Sequence, residues 1–160
     1  MAKSGILDKD FYHNMLEVCD TEEEKGLISV LYYSGMHGSS LRTLTTDNLK
    51  KEGKQTNLRW RRTKTGKTVE CRIPASAVGM VTAYLLSDKK STRWTNYRLC
   101  EWGNQAGYDN VSTMTFRHTR CLTMIRQGRS VFEIAQKMGC SQDVVWRNYS
   151  KFKEDQLGDE

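Results

Sequence analysis

The sequence predicts an α+β domain, mainly helical, with one small antiparallel sheet set early in the chain. Three observations lead there. Helix-period apolar segments, opened by capping residues, occupy most of the 160 residues. One interval, "TNLRWRR" then "TKTGK" then "TVECRIP", changes to strand character around a tight turn. The only proline, Pro74, closes that interval.

Asp8 is positioned to cap a helix running to about Cys19, with Phe11, Met15, Leu16 and Cys19 on one face. "TEEE", Thr21 to Glu24, is a capping box for a second helix. That helix carries Leu27, Ile28, Val30, Leu31 and Tyr32 toward the core and stops near Gly35. "SSLRTL" reads as a short helix. Within the sheet, Val69, Cys71 and Ile73 alternate with Glu70 and Arg72, the period of a half-buried strand. Helices follow at Ala75 to Leu86, Ser91 to Gln105 and Thr115 to Arg126, the last closed by Gly128. "SVFE", Ser130 to Glu133, is a second capping box and opens a helix to Met138. Gly139 breaks it, and Ser141 caps a last helix that carries Tyr149.

Composition narrows the function classes. Hydrophobic residues make up 38% and charged residues 28%, a soluble globular mix with no apolar run long enough for a membrane span. No secretory leader is visible, so a cytoplasmic or nucleoid location, on host-cell DNA, is expected. Five scattered cysteines form no Cys-x-x-Cys pair, which favours free thiols over disulfides or zinc; no metal and no cofactor are expected. The net charge of +6 is uneven. Arg42 to Arg72 holds ten basic and three acidic residues, whereas residues 1–28 hold seven acidic and three basic. Charge concentrated in one segment suits a polyanion, although a solvated basic face reads the same way.

Three stretches bear chemistry. The hairpin turn presents Lys64, flanked by Arg61, Arg62 and Lys67: a rigid support for a mobile charge able to reach phosphate, or a merely solubilising hairpin. "TFRHTR" gathers Arg117, His118 and Arg120 near a helix start, and arginine forks onto phosphate oxygens. "VVWRNYSKF" sets Tyr149 among Arg147, Lys151 and Lys153. Residues 130–149 also read as a helix-turn-helix, in which Ser141, Gln142 and Trp146 would face a DNA groove and Tyr149 would only pack.

Taken together, these pieces resemble the catalytic domain of the tyrosine recombinases, the phage-type integrases, from about Ile6 to Phe152. "LYYSGMHGSSLRTLTTDNL" is similar to the family's Gly-Leu-Arg-x-x-Glu-Leu-x-x-Leu segment, and its Gly-Met-His to some archaeal and viral members. "RTKTGKTVECRIP" resembles the lysine hairpin, with Lys64 in place. "MTFRHTRCLTMIRQG" resembles His-x-x-Arg-His-Thr, and "IAQKMGCSQDVVWRNY" the Leu-Gly-His-Ser segment with its nucleophilic tyrosine. Cys140 to Tyr149 keeps the family's spacing of nine. The pattern departs at His37 (an arginine in the family), Ser40 (glutamate), Met114 (histidine) and Cys140 (histidine or tryptophan).

The resemblance implies the tyrosine recombinase catalytic-domain fold over residues 1–152, an acidic tail at 153–160, and no N-terminal DNA-clamping domain on this chain. It implies site-specific breaking and rejoining of double-stranded DNA through a 3′-phosphotyrosyl link, in a mobile element, virus or plasmid, with self-association on DNA as a dimer or tetramer. Tyr149 is then the nucleophile, Lys64 the general acid and Arg117 a phosphate clamp. His37, Met114 and Cys140 fill the remaining catalytic positions. His118 and Arg42 are supporting candidates, and Arg59, Arg61, Arg62, Lys67, Arg120 and Arg147 are DNA contacts. Two alternatives stand beside this reading: an integrase-fold DNA-binding protein with weakened chemistry, and a helix-turn-helix regulator.

Overall fold

The computed structural model describes residues 9–157, apart from the side chains at positions 9, 149 and 151–157. Helices α1 (Lys9–Glu17), α2 (Glu22–Ser34) and α3 (Gly38–Leu41) lead through a 3-10 turn, Thr46–Asn48, into a sheet of β1 (Leu49–Glu52), β2 (Gln55–Arg61) and β3 (Thr68–Ile73). Then come α4 (Ala75–Leu86), α5 (Thr92–Ala106), α6 (Thr113–Arg126), α7 (Val131–Met138) and α8 (Gln142–Leu157). The expected α+β class is the one found. The expected Asp8 cap lies outside the described residues. The tail expected from position 153 continues α8 as far as Leu157, and residues 158–160 lie outside the described residues.

Local chemistry accounts for the boundaries. The Glu24 amide donates to Thr21 Oγ1 at 3.2 Å and the Thr21 amide to Glu24 Oε1 at 3.2 Å, a complete capping box for α2. At α7 only the forward half forms among the described residues, Glu133 N–H to Ser130 Oγ at 3.1 Å. The Glu133 carboxylate instead stands 3.9 Å from Arg129. Helix α6 starts at Thr113, two residues before the expected Thr115, because Ser112 and Thr115 cap each other reciprocally.

The sheet is antiparallel in the order β1-β2-β3, with Leu58 opposite Cys71 and Trp60 opposite Val69. Strand β1 was not expected. "LKKE" carries one half-buried leucine and three exposed charged residues, so it has no alternating pattern and is held by pairing with β2.

Two clusters form the core. The larger joins α1, α2, the sheet, α4, α5 and the start of α6, with Phe11, Ile28, Leu58, Leu99 and Phe116 fully buried. Helices α2 and α4 meet backbone to backbone at Gly26, where an added Cβ would lie 2.0 Å from the Met80 carbonyl oxygen. The smaller cluster, including Leu122, Ile134, Met138 and Val145, binds α6, α7 and α8 to one another. Helix α7 also rests on β3. The end of α2, the hairpin turn and the α7–α8 junction are thereby held around the first turns of α6.

Candidate active site

The centre is Arg117 on α6, 8% exposed. Its Nη1 donates to the Gly35 carbonyl at 2.9 Å and its Nη2 to the Met138 carbonyl at 3.1 Å. Both acceptors sit at helix C-termini, where carbonyls lack partners within the helix and carry partial negative charge. Gly35 ends α2 at φ 63° and Gly139 ends α7 at φ 66°, backbone geometry that an L side chain adopts only at a cost. The sequence therefore places glycines where two chain reversals must offer carbonyls to arginines.

The second guanidinium is Arg62, 6% exposed. Its Nη1 donates to the Gly139 carbonyl, the peptide following the Met138 carbonyl that holds Arg117. Its Nε is buried and has no hydrogen-bond partner. Burial first, and then Arg62, lowers the pKa of Arg117. Both groups remain cations, since guanidinium does not deprotonate in proteins. Among the described residues, neither makes an ion pair with a carboxylate.

His37 completes this side as the half-buried N-cap of α3. Burial, then Arg117, Arg62 and Lys64 in turn, push its pKa from 6.5 down to about 4. At neutral pH it is an uncharged imidazole facing three cations, able to donate one hydrogen bond but adding no charge. Lys64 is exposed at the hairpin tip. The turn beneath it is closed by Arg62 N–H to Lys67 O and Gly66 N–H to Arg62 O, both 2.8 Å. Thr63 Oγ1 lies 3.1 Å from Ser39 Oγ, tying the tip to α3.

On the other flank, Met114, Arg117, His118, Cys140 and Asn148 line a cavity of about 180 Å³. Met114 is 55% exposed and Cys140 half-buried. Asn148 directly precedes Tyr149 on α8 and donates to Cys121 Sγ at 3.8 Å. The Tyr149 backbone is thereby set beside the cavity, while its side chain lies outside the described residues.

The structure thus brings His37, Lys64, Met114, Arg117, His118 and Cys140 to one region, together with Arg62. The other basic residues are dispersed. Arg42 is exposed at the end of α3. Arg59 is engaged by Glu52 at 3.1 Å and Glu70 at 2.9 Å. Arg61 is exposed, with Nε donating to the Gly66 carbonyl at 3.0 Å. Lys67 borders an open groove beside Phe132, Gln136 and Gln142. Arg120 is half-buried, its Cβ 3.0 Å from where a Gly35 Cβ would stand. Arg147 is exposed on α8. Arg62 was expected among the outward DNA contacts, yet strand alternation runs through it: Leu58, Trp60 and Arg62 face in while Arg61 faces out.

No protein-family model and no curated protein matches this chain by sequence. Solved structures do match. The crystal structure of XerA recombinase superposes with a TM-score of 0.76 at 18% identity, over 92% of this chain and 61% of that one. The XerH site-specific recombinase, in a post-cleavage complex with palindromic difH substrate, gives 0.75 at 14% identity over 96% and 51%. The catalytic domain of bacteriophage HP1 integrase gives 0.64 at 15% identity over 94% and 89%. The chain therefore has the tyrosine recombinase catalytic-domain fold, and it spans half to three-fifths of the length of the two Xer recombinases.

Proposed function

We propose that this chain is the catalytic domain of a tyrosine-type DNA recombinase or integrase, with Tyr149 as its nucleophile. The observation carrying this reading is the grouping of Arg62, Lys64 and Arg117 with His37 in one cationic region where, among the described residues, neither buried arginine pairs with a carboxylate, in the fold of recombinases. Two buried like charges repel each other, and an anion arriving between them relieves that repulsion. A DNA phosphodiester is such an anion. The nearby cavity, lined by Asn148 next to Tyr149 in sequence, supports that choice of nucleophile.

In the proposed reaction the Tyr149 phenolic oxygen forms a bond to phosphorus and the bond to the 5′-oxygen breaks. The tyrosine, with an ordinary pKa of ~10, must shed its proton, and the proposal assigns its uptake to His118, whose imidazole lines the adjoining cavity. Lys64 protonates the departing 5′-oxygen. Arg117 neutralises charge on the non-bridging oxygens, and its two carbonyl bonds hold it rigid before the reaction begins. His37 contributes a neutral hydrogen bond. Met114 and Cys140 occupy positions where the family uses proton-transfer or hydrogen-bonding groups, which makes slow chemistry the expectation. A free 5′-hydroxyl reverses the step, so the chemistry needs neither metal nor nucleotide cofactor.

The partner is double-stranded DNA, with self-association on it as a dimer or tetramer, in a mobile element, virus or plasmid. Exposed Arg61, Lys67 and Arg147 add phosphate contacts. Among the described residues no helix is long and apolar enough to cross a membrane.

The test is a nicked suicide duplex carrying the attachment site, examined on a denaturing gel for a covalent protein–DNA adduct. The proposal expects an adduct that Tyr149→Phe abolishes. Salt-sensitive binding without an adduct would support the DNA-binding alternative instead.

A further inference from the structure

The arginine missing at position 37 leaves the phosphate clamp one guanidinium short, and neutral His37 cannot replace its charge or its fork. The geometry points to Arg62 as the replacement: a catalytic arginine, supplied by the hairpin base, that contacts the scissile phosphate beside Arg117. Arg62 and Arg117 are anchored on consecutive carbonyls, Gly139 and Met138, which sets the two side chains next to each other. Both are more than nine-tenths buried, and among the described residues neither is paired with a carboxylate.

A purely structural strut does not account for this arrangement. A strut serves best with all its donors satisfied, whereas Arg62 keeps its Nε–H buried without a partner. An unsatisfied buried donor on a charged group is costly, and so is a second cation placed near a first. Both costs are removed by an anion between the two guanidinium groups. His37 borders the same region, its titration lowered by burial and then by Arg117, Arg62 and Lys64. Among the described residues, the hydroxyl contact between Ser39 and Thr63 joins the exposed hairpin tip to α3, which keeps the hairpin base beside the site. Arg42, the other arginine near the first motif, is exposed at the end of α3 and is not among the groups acting on His37.

The catalytic part of this inference rests on the recombinase reading; the anion site does not. Two measurements separate them. In wild-type protein labelled at arginine nitrogens, inorganic phosphate should shift the Arg62 and Arg117 Nε–H resonances together, with Arg62→Lys identifying the first. A stationary Arg62 resonance, whether or not Arg117 moves, overturns the proposal.

In the covalent-adduct assay, Arg62→Ala should lose on the order of a hundredfold in rate on a phosphodiester. It should lose far less on a duplex with a methylphosphonate at the scissile position, where one charged oxygen has become a neutral methyl. Equal losses on both substrates would make Arg62 a strut and overturn the proposal. Should wild-type protein form no adduct on either substrate, the recombinase reading fails and the phosphate titration alone decides whether Arg62 is an anion ligand.

Discussion

Gly139→Ala probes the junction on which both buried arginines depend. Gly139 has φ 66°, and a Cβ there would stand 2.6 Å from Arg62 Cδ and 2.6 Å from Val69 Cγ2. The left-handed backbone alone costs an L residue roughly 1–2 kcal/mol. Forcing a methyl into a filled site adds about 1–3 kcal/mol. Val69 is buried on β3, and Arg62 is pinned by its bond to the Gly139 carbonyl, so neither retreats freely. A total of ~3 kcal/mol corresponds to a fall of about 6–12 °C in Tm for a domain of this size. Gly107→Ala is the matched control: φ is 91°, but nothing lies within 4 Å of the added Cβ, so only the backbone cost applies. Calorimetry on both variants isolates the packing part. Equal decreases in Tm would refute the reasoning, because Arg62 and Val69 would then not be pressed against Gly139.

Lys64→Ala should slow adduct formation by about 10²–10⁴, the usual worth of a positioned general acid, and a 5′-bridging sulfur substrate should restore it because a thiolate leaves without a proton; absence of rescue would deny Lys64 that role. For His37, the unfolded chain takes up a proton near pH 6.5 and the folded chain only near 4, so stability should fall as pH drops through that window. Urea midpoints at pH 7, 5.5 and 4.5 should show this component in wild type and not in His37→Asn, and parallel profiles would contradict the assignment. Lys67→Ala should reduce the slope of log K against log salt for duplex binding by about 1, while Arg59→Ala leaves it unchanged because Glu52 and Glu70 already engage that guanidinium.

Much of the fold was legible because it is written in local chemistry. The Thr21 box, Pro74, Gly35 and Gly139 mark boundaries that backbone sterics impose whatever surrounds them. Strand β1 was not legible, since "LKKE" has no alternating pattern and is a strand only by pairing with β2. The site was partly legible. Lys64, Arg117 and Tyr149 stand in recognisable motifs, but the burial of Arg62 was overlooked among the basic residues of one hairpin. Extending the Leu58–Trp60 alternation by one step would have placed it on the inner face. The neutral state of His37 could not be read from sequence, because it arises from burial and from three cations brought together from the hairpin and α6.

The most direct test of the central claim is the chemical identity of the DNA linkage. Protein incubated with the nicked attachment-site duplex, digested with nuclease and protease and examined by mass spectrometry, should yield the peptide containing Tyr149 with a nucleotide joined through a 3′-phosphate to the phenolic oxygen. A nucleotide on any other residue, or an unmodified Tyr149 peptide from a reaction in which the DNA was cut, would contradict the account.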